Sequence, residues 1–133
     1  MDDNRLTLIA EDMDDLPPLS ALLQDAVVGA GDIAFERKAR RLVLLVSRYR
    51  WEAGELSRIR TGVRIESVIG VERRRWPHDP AAVLDLLALT MDGDALTLSF
   101  AGGIALRARV ECVNVIMEDM SSPWPVKHRP GHD

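Results

Sequence analysis

The sequence predicts an α+β domain organised around a mainly antiparallel sheet that is strongly bent or closes into a small barrel. One observation is that short β-rich runs separated by turn residues fill residues 32–110, a spacing typical of antiparallel strands. Another is that apolar residues at helical spacing occur near the two ends of the chain, which predicts one N-terminal and one C-terminal helix. With 133 residues, the chain is expected to form a single core.

The N-terminal segment predicts a short strand followed by a helix. Residues 5–10 alternate as a strand does, and a dense acidic run follows them. Acidic residues and proline are favoured in the first turn of a helix, so the helix should begin near Asp14 or Asp15. The glycine-containing residues 29–31 are expected to end it. Its predicted apolar stripe consists of Leu16, Leu19, Leu23 and Ala26.

The middle of the chain predicts a long hairpin and a further strand. Residues 32–36 and 41–52 are β-rich runs joined by a charged turn. The first residues of the second run are expected to be buried on both faces, and its last residues are expected to be exposed to solvent. In residues 58–66, arginines alternate with Ile, Thr and Val, which predicts a strand with its arginines facing outward. We expect bulges or bends at Gly62 and Gly70.

The C-terminal half predicts a loop, a three-stranded meander and a closing helix. Trp76–Pro80 is the clearest loop, because its two prolines remove backbone donors. Residues 81–91 fit either a helix or a strand, and the Asp92-Gly93 turn after them favours a strand. Two further strands separated by glycines complete the meander. The predicted closing helix would bury Val113, Ile116, Met117 and Met120.

The predicted order of elements is that of a pleckstrin-homology-like barrel plugged by its C-terminal helix. We assign residues 1–122 to one domain and residues 123–133 to a C-terminal tail anchored by Trp124. Folds of this kind serve as lipid, peptide and protein binders and as scaffolds, so the architecture alone predicts no function.

The basic residues are concentrated in one segment of a chain that is acidic overall. Residues 37–75 hold twelve Lys and Arg against four Glu, although the formal net charge of the chain is -4. Such a division can give an acidic protein one cationic face. All but one of the twelve are arginines, whose planar guanidinium suits carboxylate and phosphate groups.

These arginines predict a sheet face that binds an anionic partner, which is a peptide, a nucleic acid or a phosphorylated metabolite. The other interpretation is a solvated face balanced by neighbouring glutamates. The net acidity disfavours a nucleic acid, because domains that bind nucleic acids are commonly basic. The candidate partner-binding residues are Arg48, Arg50, Arg58, Arg60, Arg64, Arg73, Arg74 and Arg75.

The sequence contains no constellation that predicts catalysis, and we expect a chain that is not an enzyme. Its serines lie in no nucleophile elbow, and it has no phosphate-binding glycine loop. The one hint of a base is His78 beside Asp79 in the predicted loop, a pair that is more typical of a turn than of a dyad.

No metal or cofactor is expected. His128 and His132 stand four residues apart, but the proline and glycine between them prevent the helix that would place both on one face. The single cysteine, Cys112, is expected to be a buried small apolar side chain. A lone cysteine, the absence of a secretory signal and the absence of a long apolar run together predict a cytoplasmic protein.

Six pieces of the chain resemble a family of small bacterial proteins known as a domain of unknown function. The resemblance rests on the order of the elements LQDA, RxRWE, VEC and HRPxH and covers nearly the whole chain. It implies no activity, cofactor or site residues, because none is assigned to the family. The pieces are residues 23–35, 47–52, 73–76, 96–103, 110–120 and 123–132.

The function that the sequence favours is a non-enzymatic interaction module that binds an anionic or protein partner through its arginine-bearing sheet. A first alternative is a small enzyme or enzyme accessory with its site at Trp76–Pro80 and with Arg73–Arg75 as an anion clamp. A second is a structural homo-oligomer formed by pairing of exposed strand edges.

Overall fold

The computed structural model describes residues 5–131, which form one antiparallel sheet and one short α-helix. The helix α1, Leu16–Leu23, is entered through a 3-10 turn at Met13–Asp15. The strands are β1 Thr7–Ala10, β2 Ala26–Gly29, β3 Ile33–Glu36, β4 Arg41–Tyr49, β5 Ser57–Ile65, β6 Val68–Arg74, β7 Val83–Asp92, β8 Ala95–Phe100, β9 Ile104–Val110, β10 Val115–Asp119 and β11 Trp124–Pro125.

The sheet follows the order β1-β10-β5-β4-β2-β7-β8-β9-β6, and within the described residues it does not close into a barrel. Strand β3 pairs with β4, and β11 pairs with β5, outside this path. Inward-facing residues from both halves of the path, such as Val63 of β5 and Leu98 of β8, belong to one apolar core. The helix α1 adds Leu16, Leu19 and Leu23 to that core.

The predicted α+β class is wrong, because the segment expected to be a C-terminal helix is the strand β10. It pairs with β1 on one side and with β5 on the other, so it lies inside the sheet. Val115, Met117 and Asp119 point into the molecule at the spacing of two that a strand requires. The predicted pleckstrin-homology-like arrangement, which needs that helix as a plug, is therefore also wrong.

The helix α1 also ends earlier than predicted. Asp25 adopts a left-handed conformation with φ of 63°, and its backbone N–H donates to the carbonyl of Leu86 at 2.7 Å. The helix ends before this residue, because Gln24 already has an extended ψ of 131°. Ala26–Gly29 is thereby released to pair with β7 as strand β2.

Several predicted strands are confirmed. The first strand, the hairpin of β3 and β4 and the meander of β7, β8 and β9 all form antiparallel pairs. A bulge is present between Val68 and Gly70, whereas Gly62 pairs regularly with Leu45 and Glu118. The tail boundary after residue 122 stays a prediction, and Trp124 beyond it pairs with Arg58 of β5.

Candidate anion-binding groove

The arginines that are neighbours in the sequence are separated by the fold. Arg58, Arg60 and Arg64 lie on β5, whereas Arg73 and Arg74 lie at the end of β6. Five strands stand between β5 and β6 along the sheet path. The predicted set therefore does not form one continuous patch, and each part has a different environment.

Arg48 lies in the interior and forms ion pairs with two carboxylates. Its Nε donates to Oδ1 of Asp119 at 2.9 Å, and its Nη2 donates to Oδ2 at 2.7 Å. The other side of the guanidinium donates to both oxygens of Glu52 at 2.9 Å each. The side chains of Arg48 and Asp119 are both 0% exposed, so the expected exposure of this residue is wrong.

Asp119 joins four parts of the fold through one carboxylate. Besides Arg48 of β4, it accepts a hydrogen bond from the Thr61 hydroxyl of β5 at 2.7 Å and one from the Leu6 N–H before β1 at 2.9 Å. Burying a polar group costs free energy unless the group is hydrogen-bonded. Here the Asp119 carboxylate accepts hydrogen bonds from all three of these donors. The cluster of Arg48, Asp119, Glu52 and Thr61, called the buried ion cluster below, is a structural element.

The pKa values of the two carboxyls in this cluster fall below their ordinary range. Burial alone would raise the pKa of Asp119, but the hydrogen bonds from Arg48, Thr61 and Leu6 outweigh it. Burial likewise opposes ionisation of Glu52, and the hydrogen bonds and charge of Arg48 lower its pKa overall. The Arg48 pKa is raised, since its bonds to both carboxylates exceed the opposing effect of burial.

These shifts predict acid-sensitive stability. A carboxyl whose pKa is lower in the folded state stabilises the fold above its unfolded pKa of about 4, and this contribution is lost as the pH falls through the folded value. We expect the free energy of unfolding to decrease below about pH 4, and Glu52→Gln should make that decrease shallower. Urea titrations of both proteins between neutral and acidic pH measure the slope, and identical slopes would contradict the prediction.

Arg50 is also buried, so its predicted exposure is wrong. Its Nη1 donates to Ser57 Oγ at 2.9 Å and to Glu55 Oε1 at 3.1 Å. No acceptor within residues 5–131 lies in hydrogen-bonding range of its Nε. Trp51, the next residue, donates its indole N–H to the carbonyl of Gln24 at 2.9 Å. The Arg-x-Arg-Trp-Glu element therefore anchors the end of β4.

Arg58 is half-buried, and its guanidinium donates hydrogen bonds to backbone carbonyls. Its Nη1 donates to the carbonyl of Ser47 at 2.7 Å, and its Nη2 donates to the carbonyl of Asp25 at 3.3 Å. Burial lowers its pKa, and the charges of Asp85 and Asp25 offset this only in part. Arg58 thus links β5 to the turn before β2.

The exposed basic residues beside β4 are mostly matched by glutamates. Arg40 pairs with Glu111, and Arg41 donates to Glu66, the residue that follows β5. Arg64 lies at 4.0 Å from the same Glu66. This part of the basic segment fits the interpretation of a solvated and internally balanced surface.

The outer face of β8, β9 and β6 carries a groove of about 460 Å³ in which arginines converge. Arg107 of β9 stands opposite Glu72 of β6 and Thr97 of β8 in the sheet register. Arg74 is two residues beyond Glu72 and so shares its face of β6. The groove is lined by Glu72, Arg73, Arg74, Thr97, Ala105 and Arg107.

Two flanking arginines are held in place by apolar neighbours. The Arg73 guanidinium stacks over the Trp76 ring at 5.4 Å, and Trp76 meets Phe100 of the core edge-on. Arg75 has φ of 53° and lies along Gly103, where an added Cβ would stand 3.5 Å from its guanidinium. Stacking on an aromatic ring orients a guanidinium while it leaves donors free for a ligand.

Arg107 was not among the residues that the sequence singled out, because it lies outside the basic segment. The sequence nevertheless indicates that Arg107 faces outward, because Arg107 and Arg109 alternate with the buried Leu106 and Ala108 as in a strand. Only the pairing of β9 with β6 brings this alternation next to Arg74.

The comparison with protein families matches residues 6–132 to the model described as protein of unknown function (DUF2948). The chain belongs to this family. The resemblance to a domain of unknown function is thereby confirmed, while its individual sequence elements stay predictions. No curated protein and no solved structure matches the chain.

In this DUF2948 member, the Trp76–Pro80 loop forms a turn. His78 is exposed. The Asp79 carboxylate accepts a hydrogen bond from the Ala81 N–H at 2.9 Å, and its carbonyl accepts one from the Ala82 N–H. Both bonds are local turn contacts of the kind that aspartate favours.

The remaining candidate groups of this DUF2948 member lie apart from the groove. Cys112 is exposed, so its predicted burial is wrong. His128 is exposed, and His132 lies outside the described residues. Within residues 5–131, no group of His, Cys, Asp and Glu has the arrangement of a metal site. No helix in the same range is long and apolar enough to cross a membrane.

Proposed function

We propose that this chain is a non-enzymatic interaction module that binds an anionic partner through the groove on β6, β8 and β9. The observation that carries the proposal is that Arg74 and Arg107 share the outer face of β6 and β9, in a groove also lined by Arg73 and by a single acid, Glu72. Guanidinium groups arranged in this way bind carboxylate or phosphate oxygens through charge-assisted hydrogen bonds.

The same reasoning narrows the predicted arginine set. The guanidinium groups of Arg48, Arg50 and Arg58 donate hydrogen bonds to acceptors within the protein. These arginines therefore stabilise the fold and are not proposed to contact a partner. Arg60 and Arg64 are exposed on β5, on another part of the sheet. We therefore propose Arg74 and Arg107 as the centre of the partner site, with Arg73 and Arg75 flanking it.

A charge-reversal experiment with a matched control tests the proposal. A hexaglutamate peptide and inorganic phosphate serve as probes, and amide chemical shifts report where each binds. Arg74→Glu with Arg107→Glu should weaken binding at least tenfold, because charge-assisted hydrogen bonds contribute about 1.5–3 kcal/mol each. Arg60→Glu with Arg64→Glu makes the same change in net charge on β5 and should have a much smaller effect.

Both double variants should remain folded, because exposed substitutions usually change stability by about 0.5 kcal/mol or less. Equal weakening by the two variants would mean that net charge alone attracts the probes, and this would overturn the site. If neither probe changes the amide chemical shifts of the groove residues, the proposal that the groove binds an anionic partner would be wrong.

The enzyme alternative at Trp76–Pro80 ranks second. Trp76 packs edge-on against Phe100 of the core, and Oδ1 and the carbonyl oxygen of Asp79 accept hydrogen bonds within the turn. A general base must be oriented toward the substrate proton, and Asp79 uses Oδ1 for the turn rather than for His78. The homo-oligomer alternative concerns the outer edges of the end strands β1 and β6.

A further inference from the structure

A second groove lies between the helix α1 and the strand β7. Its volume is about 570 Å³, within the range of about 300–1,000 Å³ that is typical of ligand clefts. Met13, Pro17 and Ala21 line it from the helical side, and Leu87 and Met91 line it from β7. Met13 is 59% and Leu87 is 38% exposed, so the apolar walls are accessible to a partner.

The groove exists because β7 is longer than the strand beside it. Strand β2 pairs with β7 only along Val83–Leu86. A bulge follows between Leu86 and Ala88, and beyond it this edge of β7 faces α1 instead of another strand. A helix packed beside a strand cannot fill the space as completely as a strand would, and the groove is the space that remains.

The backbone edge of β7 is blocked at the centre of the groove. Ser20 of α1 accepts a hydrogen bond from the Leu89 N–H at 2.9 Å. A partner strand would have to displace this bond in order to extend the sheet along β7. Side-chain packing of an amphipathic helix into the groove needs no such displacement, and this favours a helical partner.

The charged residues within and next to the segments that line the groove are acidic. The lining segments, residues 13–24 and 87–91, contain Asp14 and Asp15 and no Lys or Arg. Asp12 and Asp14 flank Met13, and Asp92 follows Met91. This rim attracts a cationic partner and repels an anionic membrane surface.

We propose that the groove between α1 and β7 binds a basic amphipathic helix of a partner protein. Its apolar side chains would contact Met13, Ala21 and Leu87, and its Lys or Arg side chains would face the acidic rim. The proposal is independent of the arginine groove, because the two sites use different elements and opposite charges.

The test uses a Leu/Lys peptide of about 14 residues whose leucines follow helical spacing. A Leu/Glu peptide with the same leucine positions and a scrambled Leu/Lys peptide are the probe controls. The intact chain should bind the first peptide at least tenfold more tightly than either control, with chemical-shift changes centred on α1 and β7.

Leu87→Lys should weaken this binding at least tenfold. Val83→Lys is the matched control, because Val83 lies on the same strand, is 70% exposed and lies outside the groove. Ala21→Lys is a second variant in case Leu87→Lys does not fold. Equal effects of Leu87→Lys and Val83→Lys, or equal binding of the three peptides, would overturn the proposal. Concentration-dependent dimerisation abolished by Leu87→Lys would also overturn it and assign the groove to a second copy of the chain.

Discussion

Replacing Asp119 by alanine is expected to destabilise the fold by about 3–5 kcal/mol, the usual cost of leaving one member of a buried ion pair without its partner. Arg48 would keep Glu52 but lose the two hydrogen bonds that reach the interior. Thr61 and the Leu6 N–H would lose their acceptor as well. A domain of this size has a total stability of about 5–15 kcal/mol, so the loss is a large fraction of it.

Urea denaturation of a double-mutant cycle measures this effect. Arg48→Met combined with Asp119→Ala should cost less than the sum of the single changes, because no buried charge is left unpaired. Glu118→Ala, which changes the exposed carboxylate next to Asp119 on β10, should cost about 0.5 kcal/mol or less. Additive single effects, or a cost for Asp119→Ala no larger than for Glu118→Ala, would show that the buried ion cluster is not coupled.

Strands whose two faces differ in polarity could be predicted from the sequence. On β5, the inward-facing Ile59, Val63 and Ile65 and the outward-facing Arg60 and Arg64 follow the predicted alternation. This pattern is local and has a period of two, so it needs no knowledge of the partner strand.

Strand β10 could not be predicted in this way because a charged residue faces its core side. Asp119 interrupts the inward apolar row of Val115 and Met117, and a helical period then fits the apolar residues better than a strand period. The residue that neutralises the aspartate, Arg48, lies 71 positions earlier in the chain. A pattern within one segment contains no information about such a distant partner.

The same limit applies to Arg48 and to the arginine groove. A strand end that carries Arg48 and is followed by Arg50 looks solvent-exposed until Asp119, the buried partner of Arg48, is known. Conversely, Arg107 belongs to no basic cluster in the sequence and joins Arg74 only through the register between β6 and β9. Charge density along the chain therefore identified a basic segment but not the surface that the fold makes from it.

A chain that ends at Val110 is expected not to fold cooperatively. The truncation removes β10 from its place between β1 and β5 and takes with it the fully buried Val115 and Met117. Burial of such a side chain contributes about 1.5–3 kcal/mol. The truncation also leaves Arg48 without Asp119, and β1 without its strand partner.

A chain that ends at Ser122 is the matched control. It loses only β11 and the tail, which contact β5 through the two residue pairs of Trp124 and Pro125. We expect it to melt cooperatively, with a smaller loss of stability than removal of β10 causes. Circular dichroism melting compares the cooperativity and the melting temperature of the two truncated chains with those of the full chain. A cooperative transition near the full-length melting temperature for the chain ending at Val110 would show that β10 is an appended segment rather than an internal strand of the sheet.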